Sequence, residues 1–173
     1  MIKIVGSKGN IKDVENFLKK VESFASKNSF IIQVFNADMI YSINHIISAV
    51  RHAKRAMNRK TNTTNSLEKE ILLYASGERQ LKLAIPKMGV KEGTGNIAFV
   101  LVNDKKSKIT DHLTNDLLKF LDLKPDDKVL EGNKDTLRNF GINEDEIKTV
   151  TKDKYGYIIL EKVAMVDILN KPA

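Results

Sequence analysis

Five cations, Arg51, Lys54, Arg55, Arg59 and Lys60, fall within ten residues that hold no acid. They stand directly before a polar loop and a Ser76-Gly77-Glu78-Arg79-Gln80 turn. Concentrated positive charge beside a polar notch suits holding an anionic chain, because each cation placed on a phosphate releases a condensed counterion. Arg79 is expected in the first turn of a new helix, where the macrodipole disfavours a cation by about 0.3 to 1 kcal/mol unless an anion is present. That helix start also offers unpaired amides. Together with Arg79 and the amide of Gln80, these suit a phosphate or the edge of an unpaired base, with Tyr74 as a stacking face. The same residues admit a structural reading, in which Arg79 pairs with Glu78, Glu70 or a carbonyl and Tyr74 belongs to the core.

No other group of residues offers catalysis. The three histidines, His45, His52 and His112, make no metal-binding spacing, and His45 and His52 are two helical turns apart. The chain has no cysteine, no Gly-x-Ser-x-Gly elbow and no Walker sequence. Gly6-Ser7-Lys8-Gly9 follows an expected strand and precedes an expected helix. It reads as a plain turn or, less simply, as a phosphate cradle; the GxxG of KH domains lies between two helices, which this does not. Gly89, Gly93 and Gly95 precede a strand and carry less signal still. No catalytic residue, metal or cofactor is expected.

A length of 173 residues fits one domain over residues 1–173 with a single stable core. The net charge of +7 is uneven: residues 1–90 hold a surplus of eight cations, and residues 91–173 an excess of one acid. A footprint of this kind fits a polyanion or, more blandly, a solvated lysine-rich face. No window reaches 18 uncharged apolar residues and the amino terminus lacks a secretory pattern, so an untargeted, cytoplasmic protein without membrane contact is expected.

The elements that must position the basic stretch alternate between strand and helix. Residues 2–5 read as a strand, and Val14, Phe17, Leu18, Val21 and either Phe24 or Ala25 mark the apolar face of a helix. Residues 30–35 are a second strand. From Asp38, the series Met39, Ile43, Ile46, Val50, Ala53 and Met57 predicts a helix of about five turns, with Arg51, Arg55 and Arg59 off its apolar stripe. Asn65 and Glu68 have capping-box spacing before a helix that begins near Ser66 and stops at Gly77. Leu81, Ala84, Ile85 and Met88 form the face of the next helix, completing a central helical hairpin. Residues 97–102 are uncharged throughout and predict a central strand covered on both faces. A helix over Ile109, Leu113, Leu117, Leu118 and Leu121 follows. Residues 122–153 break into short charged pieces, with Leu137, Phe140, Ile142 and Ile147 as anchors and Asn143 as a cap. Residues 158–169 predict a terminal helix apolar on nearly every side, either central or shared between the core and another chain. The class is α/β, with a sheet of about three or four strands.

Several series within residues 36–89 resemble a known family: Asn36-Ala37-Asp38, His45 to Ala49, Ala53, Asn65-Ser66, Glu70-Ile71-Leu72, Ala75-Ser76-Gly77-x-x-Gln80-Leu81 and Ala84-Ile85 to Gly89. With Leu160-Glu161-Lys162-Val163-Ala164-Met165-Val166-Asp167, they look like the CGI-type small subunit of the KEOPS complex, represented in humans by TPRKB. The resemblance implies a non-enzymatic subunit of the machinery that installs threonylcarbamoyladenosine in tRNA. Such a subunit binds the kinase-like ATPase subunit directly, meets the threonylcarbamoyl transferase subunit only within the same complex, and holds the 3′ CCA end of tRNA. On that basis Arg51, Lys54, Arg55, Arg59 and Lys60 would take backbone phosphates, and Ser76, Gly77, Arg79 and Gln80 would lie near the terminal nucleotides. Leu160, Val163, Val166 and Leu169 would face the ATPase. A pure protein adaptor without RNA binding is the alternative, and a small phosphate-binding enzyme using residues 6–10 is a third.

Overall fold

A computed structural model describes residues 1–103 and 108–169. In chain order the elements are β1 (Ile2–Lys8), α1 (Val14–Asn28), β2 (Ile31–Asn36), α2 (Ile43–Arg59), α3 (Leu67–Ser76), α4 (Leu81–Met88), β3 (Asn96–Val102), α5 (Asp111–Phe120), β4 (Lys124–Pro125), α6 (Lys134–Phe140), α7 (Glu144–Lys148) and α8 (Tyr155–Leu169), with short 3-10 turns between some of them. The architecture is α/β, as expected. The predicted unit over residues 1–173 includes residues 104–107 and 170–173, which lie outside the described residues.

The uncharged run at residues 97–102 becomes the centre of the sheet, whose order is β2-β3-β1-β4 with every pairing antiparallel. Side chains alternate across a strand, so β3 feeds two cores at once. Ile97, Phe99 and Leu101 pack with Phe17 and Val21 of α1 and Leu117 and Leu118 of α5. Ala98, Val100 and Val102 share the larger core with residues of α2, α3, α4, α6 and α8. That second layer carries every candidate site residue.

Four expectations are corrected. Residues 6–8 are strand rather than a strand-to-helix turn. The Gly6 amide donates to Asp127 Oδ1 at 2.7 Å, Ser7 Oγ donates to Ile97 O at 3.2 Å, and the Gly9 amide donates to Gly95 O at 3.0 Å. A Cβ on Gly6 would stand 2.5 Å from Asp126 O, and one on Gly9 2.3 Å from Leu123 Cδ2. The glycines therefore admit the 122–127 segment, and the phosphate-cradle reading falls. The long helix begins at Ile43 rather than Asp38, because Ser42 accepts the His45 amide at 3.3 Å as its N-cap and Met39 belongs to a separate 3-10 turn. The N-cap of α3 is Ser66, without a side-chain capping bond, so the Asn65 and Glu68 capping box does not form. On α4 the predicted face holds at Ala84 and Met88, but Ile85 turns outward with Leu83. In the weakly patterned segment, Leu137, Phe140, Ile142 and Ile147 are all buried, and Asn143 caps α7 through a capping box with Glu146.

Candidate functional site

The basic end of α2 projects from the second layer because its opposite face is filled. His45, Ile46, Ala49, Val50, Ala53 and Ala56 are buried, which leaves Arg51, Arg55, Arg59 and Lys60 exposed and Lys54 half-buried. Lys60 adopts the left-handed conformation at φ 57° and returns its amide to the Ala56 and Met57 carbonyls, ending the helix. Cations in this last turn complement the negative end of the helix dipole. Arg55 has a partner inside the chain, the carboxylate of Asp167 on α8.

Beyond Lys60 the chain enters a polar notch of about 410 Å³ lined by Thr61, Asn62, Thr63, Arg79 and Gln80. The two walls are about one helix apart in sequence: α3 runs between them and Gly77, left-handed at φ 69°, turns the chain back at its end. Arg79 and Gln80 are exposed. Gln80 is the N-cap of α4, which starts at Leu81, so Arg79 precedes the first helical turn instead of occupying it. Arg79 has an interaction of its own within the chain. Glu78 meets Lys87 Nζ at 3.1 Å, and Glu70 accepts the Thr63 and Thr64 amides.

Ser76 and Tyr74 are corrected. The Ser76 side chain is wholly buried, its hydroxyl donating to Leu73 O at 2.9 Å and accepting the Glu78 amide at 3.3 Å. Ser76 therefore shapes the turn and presents no group to a ligand. Gly77 faces α8, where a Cβ would meet Lys162 Cβ at 3.5 Å. Tyr74 is a core residue whose hydroxyl donates to Asp167 Oδ1 at 2.6 Å, so it offers no stacking face.

Helix α8 divides by side. Val163 and Val166 are completely buried beside Ile158 and Ile159, which removes both from the predicted partner face. Leu160 is half-buried, and Leu169 remains exposed. The outward apolar residues are Tyr157, Met165, Ile168 and Leu169, with the exposed Glu161 between the first two; Tyr157 at 67% and Ile168 at 60% are the most open of the apolar ones. This strip is the apolar surface that the second face of the helix was expected to supply, with Tyr157, Met165 and Ile168 in place of the two valines.

Asp167, on the edge of the strip, ties α8 to α2 and α3. Its carboxylate takes the Tyr74 hydroxyl, lies 2.7 Å from His52 Nδ1 and binds Arg55. Burial alone would raise the pKa of Asp167, but the hydrogen bonds from Tyr74, His52 and Arg55 prevail and hold it below the ordinary carboxylate value. Burial and the same bond raise the Tyr74 phenol. His45 is also structural: its Nε2 lies 2.7 Å from Ala75 O, and the Tyr41 amide reaches Nδ1 at 3.4 Å, a pattern met by the neutral ring with Nε2 protonated. Burial foremost, opposed by the Ala75 bond and aided by the charge of Lys87, lowers its pKa to about 4.

Among the described residues no group of three or more His, Asp or Glu side chains is placed to hold a metal ion, and no helix is long and apolar enough to cross a membrane. The notch residues Thr61, Asn62 and Thr63 and the anchors Glu70 and Asp167 were not named as site residues from sequence. The apolar-free loop before Ser66 was the available signal for the first three.

Over 141 residues the chain is 29% identical to the "Regulatory protein Cgi121" of Methanocaldococcus jannaschii, covering 79% of this chain and 83% of that protein. Residues 10–167 match the family described as "Kinase binding protein CGI-121", and the chain belongs to that family.

Proposed function

We propose that this chain is a non-enzymatic regulatory subunit with two working surfaces, one for a kinase-like ATPase subunit and one for the 3′ CCA end of tRNA. Its place would be in the cytoplasmic KEOPS complex that makes threonylcarbamoyladenosine, where the transferase subunit is met only indirectly. Kinase binding is the description of the family, and regulation that of the archaeal relative. The observation that carries the docking half is the exposed strip of Tyr157, Met165, Ile168 and Leu169 on a helix whose other side is core. Scattered exposed apolar residues are ordinary, but a strip along one helix marks a surface that another molecule covers.

The RNA half rests on the notch. Arg79, Gln80, Thr61, Asn62 and Thr63 surround a volume suited to an unpaired nucleotide, and Arg59 and Lys60 stand at the helix end leading into it. Single-stranded RNA ends are recognised by such polar pockets through base edges, while flanking cations take phosphates. Arg51 and Lys54 extend the cationic face along α2; Arg55 contributes to it only by sharing itself with Asp167.

Binding of the purified protein to intact tRNA and to tRNA lacking its terminal CCA tests the RNA half. Loss of affinity on trimming is expected; equal affinity would reduce the basic face to nonspecific electrostatics. The internal engagement of Arg55 and Ser76 favours the adaptor as second reading. Normal docking with no tRNA binding at low salt would establish it.

A further inference from the structure

We infer that Glu70 is the positioning residue of the notch: its buried carboxylate holds the loop at residues 61–64 in the shape that receives a nucleotide, an inference that rests on the RNA-binding reading above. Glu70 lies on α3 and is wholly inaccessible. A carboxylate in that setting is costly unless donors surround it. The loop at residues 61–64 supplies donors to both of its oxygens. The Thr63 amide reaches both oxygens at 3.2 Å, and the Thr64 amide and Thr64 Oγ1 each reach Oε2 at 2.9 Å.

At its start the loop is tied to α2 by the Thr61 amide, which donates to Ala56 O at 3.0 Å, and at its end Thr64 Oγ1 also lies 3.0 Å from Ser66 O; between these, Glu70 is the side chain that gathers the Thr63 and Thr64 amides. Ser66, the N-cap of α3, makes no capping bond to the helix, so the first turn does not anchor the preceding residues in the usual way. Asn62 Nδ2 donates to Thr64 O at 2.9 Å, which folds the loop onto itself and depends on Thr64 being in place. Thr61, Asn62 and Thr63 are three of the five residues around the notch, and the other two, Arg79 and Gln80, leave the far end of the same helix. Helix α3 therefore braces both walls, one through the Glu70 carboxylate and the other through the left-handed Gly77. A wall held in place before binding spares the ordering entropy that a loose loop would lose on meeting RNA.

Glu70→Gln keeps the volume but turns an amide donor toward Thr63 or Thr64, so donor faces donor and the loop must move. The test measures affinity of wild type and variant for intact and CCA-trimmed tRNA across salt, with docking to the kinase-like partner alongside. The expected result is a loss of about tenfold for intact tRNA only, the size of one or two hydrogen bonds to a charged acceptor. The salt slope and partner docking stay as in wild type, which a general loss of structure would not allow. Thr64→Val, removing one donor, should show a smaller loss in the same direction, and it decides the matter if the Gln variant does not fold. An unchanged ratio of intact to trimmed binding in these variants, or an equal fall for both RNAs, overturns the role of Glu70. A wild-type protein that does not distinguish the two RNAs overturns the RNA-binding reading itself, and this inference with it.

Discussion

The notch draws its groups from the loop after α2 and the turn before α4, whereas the outer face of α8 comes from one helix of 15 residues. The notch residues are polar and need internal props, the Glu70 carboxylate on one wall and Gly77 on the other. The strip on α8 needs none, because Val163 and Val166 fix the helix against the core and the opposite side follows from helical geometry. A polar site built from loops is thus sensitive to what lies beneath it, and an apolar helix face only to what lies on it. Asp167 joins the two regions by bonding Arg55 and Tyr74 from the last turn of α8.

The largest contrast lies within α8. Val163→Asp should cost about 4 kcal/mol or more, by placing an unpaired charge in the core, and abolish cooperative melting. Ile168→Asp should shift stability by no more than about 0.5 kcal/mol while ending capture of the kinase-like partner. Thermal unfolding paired with a pull-down separates them, and a destabilised Ile168→Asp would erase the difference between the faces.

Acid should act next, through His45 beneath both regions. Its folded pKa of about 4 lies below the ordinary 6.5, so the unfolded chain binds a proton that the folded chain resists. Stability contributed by the neutral ring is complete above pH 6.5 and falls as pH drops toward 4, by about 3 kcal/mol at the bottom of that window. Denaturant titrations across the window should show this slope, and His45→Gln should flatten it.

Asp167→Asn is a smaller step. The carboxylate is about a third exposed, so losing its charge should cost about 1 kcal/mol. Because its folded pKa is depressed, this contribution is present above the ordinary carboxylate value and lost as pH falls below it and through the lowered folded value. Chemical denaturation at neutral and acid pH should show the variant's deficit only at the higher pH.

Smallest in stability is Arg59→Glu with Lys60→Glu, expected within about 0.5 kcal/mol of wild type. The effect should appear in RNA binding instead, as weaker affinity and a log–log salt slope lower by about 0.7 to 0.9 for each phosphate that is no longer neutralised. Unchanged affinity would detach the basic helix end from the notch.

Much of the frame was legible wherever burial is periodic. The uncharged run at residues 97–102 announced a strand covered twice, and the stripe from Met39 to Met57 announced α2 and its outward cations, although it set the start too early and counted the exposed Ile43. Gly77 announced the turn that carries Arg79 and Gln80. What stayed hidden depends on contacts between distant residues. Ser76 is buried, and Gly77 beside it lies against Lys162, 85 positions further on. Tyr74 is committed to Asp167, 93 residues away. The direction of α8 was illegible for a different reason: a helix apolar on all sides has no periodic signal to say which side faces in. Residues 6–8 looked like a turn because their strand character comes from pairing with β3 rather than from their own side chains.

Separate surfaces on one chain make a direct demand on a mixture of this protein, its kinase-like partner and intact tRNA. Size-exclusion chromatography with light scattering, after titration of tRNA into the preformed protein pair, should give one complex holding all three at undiminished RNA affinity. Displacement of the partner by tRNA, or of tRNA by the partner, would mean that the notch and the outer face of α8 are one surface.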